Sequence, residues 1–243
     1  MVRSLLPVLA ALLCVVALPA SAQQLSLELG EGGSLTATSL QLIAIVTVLG
    51  LAPGILIMVT CFPFIVTVLA ILRQAVGLQQ SPPNMLIVSL ALFLTYFVME
   101  PVFVDAWNSG IDPLLNGAIE LEDAFLQTMD PLRTFMSARI EPDTFTALAE
   151  LRPDVGSSAT VEEAPLSVLV PSFLLSEMER AFQVGFLIFI PFLIIDLVVA
   201  AVLMSMGMMM VPPAIVSLPF KLAFFVVADG WGLIASSLVR SYG

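Results

Sequence analysis

Four apolar runs, each interrupted by proline, constrain this chain more than any other feature of it. They occupy residues 40–72, 85–107, 181–206 and 211–239, and a helix needs about 20 apolar residues to cross a bilayer. The first contains Pro53-Gly54 and Pro63, the second Pro101, the third Pro191 and the fourth Pro219. Proline removes a backbone donor and kinks a helix. A broken helix survives at membrane depth only when it is buried in protein or lines a cavity. The pattern predicts an all-α, membrane-associated protein whose kinked segments assemble with partners. Composition agrees: 11% of the residues are charged, against about 25% in soluble domains.

Short turns at residues 73–84 and around Gly207 join the runs in pairs, so the chain reads as two helical hairpins, 40–107 and 171–243. Ahead of them, Arg3, an apolar stretch over residues 5–18 and Ala20-Ser21-Ala22 have the form of a cleavable secretory signal, residues 1–22. Cleavage after Ala22 leaves a short mature segment, 23–39, outside the cytoplasm. The first hairpin then turns on the inside near Arg73, weakly supported by the positive-inside rule, and the region between the hairpins returns outside.

That region, 108–170, is acidic. Between Glu100 and Glu163 there are thirteen carboxylates and three bases, Arg133, Arg139 and Arg152. It is no disordered tail. Leu121, Phe125, Met129, Leu132, Met136 and Ile140 recur every three or four residues, the stripe of an amphipathic helix. Asp130-Pro131 predicts a helix restart with Asp as cap. Glu141-Pro142 predicts another short helix ending near Arg152-Pro153, and residues 156–164 read as an exposed linker.

Several chemistries are excluded. With no histidine in the chain, His-based triads and His-ligated metals are ruled out. Cys61 alone remains after loss of Cys14, so no disulfide forms within one mature chain. A formal charge of −11 opposes nucleic-acid binding, and no phosphate-cradling glycine loop is present. No cofactor is expected.

Ionisable groups inside apolar segments are costly enough to be paired or functional. Lys221, the protein's one lysine, lies in the fourth run and Asp196 in the third. For a hairpin turning between Met208 and Met209 the two lie level, roughly 18 Å from the turn. They either pair, within or between protomers, or each faces water in an internal cavity. Glu177 and Arg240 are level in the same way near the open end. At the turn, Met204, Met206, Met208, Met209 and Met210 place five of twelve methionines within seven residues. Thioether chains are soft and adaptable, so copies of this turn round an axis could form a deformable plug. A turn without special role is the plainer reading. Soft sulfur also suits copper(I) transport, although Met-x-x-Met clusters and His or Cys partners are missing. An intramembrane hydrolase using Ser176, Glu177 or Asp196 shows no nucleophile–base spacing.

Residues 171–186, Pro-Ser-Phe-Leu-Leu-Ser-Glu-Met-Glu-Arg-Ala-Phe-Gln-Val-Gly-Phe, resemble the first signature of the FliP family, export-gate subunits of bacterial flagellar type III secretion. Residues 191–200 resemble the second signature, and 79–84, 131–136 and 219–221 extend the likeness. Ser172, Met178 and Val184 depart from the commoner residues. Cys61-Phe62-Pro63-Phe64 stands where Ser-Phe-Thr-Arg is usual, which removes an arginine. The resemblance implies a non-enzymatic subunit of a ring-like homo-oligomer, pentameric in the family, with FliQ-like and FliR-like proteins and other export components. Unfolded rod, hook and filament proteins would pass through it. It implies a place at the bacterial inner membrane and in the flagellar basal body, in contact with lipid, with the assembly held largely above the plane of the bilayer. It also implies a pore gasket at Met208, Met209 and Met210, with Met204 and Met206 beside it.

Overall fold

The computed structural model describes residues 35–78, 81–152, 160–208 and 210–242. The expected signal segment, most of the segment 23–39, Met209 and much of the linker lie outside the described residues. The chain divides into two units, Met1–Leu51 and Ala52–Gly243. α1 (Leu35–Met58) begins in the first unit and is apolar on every side. Its side chains described between positions 39 and 58 are all exposed. Such a helix has no polar face to offer water and is built to be covered. All described elements are helical, as expected.

α2 (Phe62–Val76) is the centre of the second unit. Pro63 sits in its first turn, where a missing N–H costs nothing. Phe64, Ile65, Val68, Leu69, Leu72, Ala75 and Val76 return at helical spacing and are at most 2% exposed. The most extensive packing on α2 comes from α7 (Leu166–Ser205), and α3 (Asn84–Ala106) and α8 (Pro213–Val227) also lie against it. Gly185 of α7 packs tightly against it: a Cβ there would lie 2.4 Å from Ile71 Cδ1. α7 has 40 residues, about 60 Å of helix and roughly twice a hydrocarbon core. It therefore reaches both the acidic region and the far hairpin turn. Its start at Leu166 also places its first turn inside the region expected to end at residue 170.

The acidic region is continuous with this core rather than a separate body. α3 runs into a π-helical turn (Trp107–Ile111) and α4 (Asp112–Leu115), followed by α5 (Leu121–Ser137) and α6 (Pro142–Glu150). Leu132, Met136, Ile140, Phe145 and Ala149 join the buried cluster built on α2. The first two positions of the predicted stripe do not: Leu121 and Phe125 are exposed, while Met129 packs against the cluster. At the π turn, Gly110 meets α5 with no room for a side chain. A Cβ would lie 2.6 Å from the Ala124 carbonyl oxygen and 2.0 Å from Thr128 Oγ1.

Most of the prolines do not break the chain where expected. Pro53, Pro101, Pro131, Pro171, Pro191 and Pro219 all lie inside helices. One break falls at residues 59–61, directly before Pro63 as expected, and another at 228–229, away from any proline, where Asp229 takes a left-handed φ of 47°. A bend of 60° there separates α8 from α9 (Gly230–Arg240). Pro131 does not restart a helix, and α5 runs through it. The carbonyl it cannot serve, four residues back at Gln127, accepts a 2.9 Å hydrogen bond from Ser109 Oγ. By length and composition two described helical stretches could cross a membrane, Asn84–Leu115 and Leu166–Ser205, and up to four could if each bent pair counts as one.

Gly110→Ala is expected to lower stability by about 1–3 kcal/mol through overpacking. Ser109→Ala should cost about 0.5–1.5 kcal/mol, the worth of one hydrogen bond. Thermal unfolding of the two purified variants beside the parent protein checks the ranking.

Candidate functional site

Three features lie along the second hairpin: an outer charge cluster, an inner ion pair and the methionine turn. The inner pair joins α7 to α8. Lys221 Nζ lies 2.6 Å from Asp196 Oδ2, and Ser217 Oγ donates to Asp196 Oδ1 at 2.6 Å. Ser217 and Lys221 are four residues apart and so share one face of α8. Lys221 is buried and Asp196 half-buried. The ammonium also donates to the Ala75 carbonyl at 3.3 Å. That carbonyl belongs to the last turn of α2, where helical geometry leaves acceptors without a partner and the dipole favours a cation. One side chain thus ties the hairpin to the central helix. Level placement along the hairpin brings Asp196 and Lys221 to the same depth; Ser217 and the Ala75 carbonyl were not anticipated. The only advance sign of Ser217 is its spacing from Lys221.

The outer cluster has different members from those expected. Glu177 is fully buried in α7, but its partner is not Arg240. Arg139, between α5 and α6, donates from Nε to Glu177 Oε1 at 2.9 Å. The Tyr242 hydroxyl donates to Oε2, and Arg180 lies 3.9 Å from Oε1. The Arg139 guanidinium sits 4.0 Å above the Tyr242 ring and donates to the Ser241 carbonyl at 2.8 Å. Arg240 is exposed at the end of α9. The break at Asp229 turns α9 away from the line of α8, so depth counted along an unbroken helix fails beyond it. Phe64, at the position where the resemblance expects arginine, is buried with its ring edge-on to Tyr242 at 5.6 Å. Burial, and then the neighbouring Glu177 carboxylate, push the Tyr242 phenol above its ordinary value. It remains the donor in this cluster, and that contribution is lost only as pH rises beyond the ordinary phenol value of about 10.

At the tip, α7 ends in a left-handed Gly207 with φ 76°. Its N–H bonds the Met204 carbonyl and the Met208 N–H bonds the Leu203 carbonyl, at 3.1 and 2.9 Å. This paired closure stops the helix and needs glycine at the left-handed position. Met204, Met206 and Met208 are exposed, and Met210 is 97% exposed. Met209 lies outside the described residues. No group of three or more His, Cys, Asp or Glu suited to a metal occurs among the described residues. Ser176 Oγ donates to the Ser172 carbonyl and accepts the Glu141 N–H, so its hydroxyl is engaged structurally.

Lys221→Met should destabilise the protein by about 2–3 kcal/mol. Fully buried pairs lose more when one partner is removed, and water reaches Asp196. Adding Asp196→Leu should restore part of the loss in a thermal double-mutant cycle. Glu177→Ala should release the C-terminal residues, read as faster carboxypeptidase trimming, with Tyr242→Phe the milder change.

Residues 45–238 match the model of the FliP family. The chain is 50% identical to the flagellar biosynthetic protein FliP of Caulobacter vibrioides, over 98% of this chain and 90% of that protein. It is 48% identical to the protein of that name from Rhizobium meliloti, covering 86% of each chain. With the Bacillus subtilis protein it shares 45% identity over 84% of this chain and 92% of the relative. A match of this extent, running through both hairpins and the region between them, means that the chain belongs to the FliP family.

Proposed function

We propose that this protein is a pore-forming subunit of the flagellar type III export gate, through which unfolded rod, hook and filament proteins leave the cell. It acts without catalysis, as a ring-like homo-oligomer with FliQ-like and FliR-like subunits in the bacterial inner membrane. Its N-terminus lies outside the cytoplasm after cleavage at Ala22. Membership of a family whose relatives are named for flagellar biosynthesis supports the setting. The methionine turn carries the mechanism. Exposed thioethers stand at the tip of a hairpin whose arms are tied by Lys221 and Asp196. A rigid arm bearing soft side chains suits a seal that excludes ions at rest and yields to a polypeptide. The extensive apolar exposure of α1, α3 and α7 is what a protomer needs in order to bury surface against neighbours.

Replacing Met208, Met209 and Met210 together with serine should raise ion conductance of membranes carrying the assembled complex, with assembly intact. Unchanged conductance in the intact complex would remove the seal from this reading.

A further inference from the structure

Arg73 is the only charged residue between positions 32 and 99, and positions 197–220 carry none. It lies in the last turn of α2. Its Nη1 donates to the Asn84 side chain and to the Pro82 carbonyl, and it forms no ion pair with a carboxylate among the described residues. A guanidinium has five donors in a planar fork that matches phosphate, and Nη1 supplies two of them.

Beside Arg73 opens a groove of about 710 Å³ between α2, α7 and α8. Arg73 and Gln74 stand towards the end of its α2 wall that meets the turn, and Val66, Ala70, Ile71 and Phe182 contribute apolar wall. From Val66 to Arg73 that wall rises about 10 Å. Lys221 also borders the groove, but Asp196 neutralises it, so Arg73 is the uncompensated charge. The combination is a cation beside an apolar channel at a hairpin turn, in a protein with helices suited to a bilayer.

We propose that this groove binds a membrane phospholipid, with its phosphate on Arg73 and an acyl chain along Val66, Ala70, Ile71 and Phe182. A second copy of the chain is a poorer occupant. A copy docking through its apolar segments 32–99 or 197–220 would bring no carboxylate to the guanidinium. An anionic headgroup supplies that charge, and basic residues at the membrane surface attract such lipids. The site does not depend on the methionine seal, so it can fail while the export reading stands.

The test is native mass spectrometry of the assembled full-length complex released from nanodiscs of phosphatidylglycerol and phosphatidylethanolamine. The parent complex should retain phospholipid. Arg73→Gln should lower retention about tenfold, the equivalent of one charge-assisted hydrogen bond, and Arg73→Lys should recover most of it. Ala70→Trp, which obstructs the acyl wall and leaves Arg73 in place, should lower retention similarly. Equal retention in the parent, Arg73→Gln and Ala70→Trp complexes would overturn the proposal. So would displacement of the lipid by inorganic phosphate alone, or a photo-crosslinker at position 70 that captures protein in place of lipid.

Discussion

The packing of α2 against α7 supports everything else in the second unit. α2 is short, apolar and enclosed by α3, α7 and α8, and its buried face is that of a soluble-protein core. Gly185 lets α7 approach Ile71 closely enough to exclude a side chain between them. Close-packed apolar contact is individually weak and collectively decisive. The acidic region rests on the same cluster through Leu132, Met136 and Phe145. Its charges lie round a body that the apolar core holds together.

Two charged clusters inside this body tie together elements distant in sequence. Lys221 reaches both Asp196 and the end of α2; Arg139 reaches both Glu177 and the C-terminal residues. Removing such groups from water is costly, and bonding on several sides is what makes it tolerable. The result is geometric specificity. Apolar helices slide past one another at little cost, whereas a bidentate carboxylate accepts few registers. Ser109 plays a smaller part of the same kind by occupying the carbonyl that Pro131 leaves without its helical partner.

This arrangement connects structure to the export reading. The methionine tip is soft, but the hairpin that carries it is fixed to the central helix by Lys221. The exposed apolar surface elsewhere is what an assembling protomer requires. Arg73, which has no carboxylate partner among the described residues, stands at the other hairpin turn.

Much was legible in the sequence because it depends on local periodicity and on what apolar surroundings forbid. Long apolar runs specify helices, the absence of histidine and of paired cysteines removes whole chemistries, and level positions on a hairpin bring Asp196 to Lys221. The family signatures were legible as well. Where helices would break was not, since neighbouring groups such as Ser109 can satisfy a backbone that proline disrupts, while Asp229 breaks α8 from α9 without proline. Nor was the partner of Glu177 legible, because Arg139 and Tyr242 arrive from remote parts of the chain. The sequence by itself determined the helical segments, their apolar character and the soft tip. The tertiary structure alone decided which charges meet, because ion-pair geometry depends on directions set by breaks and packing that no local pattern encodes.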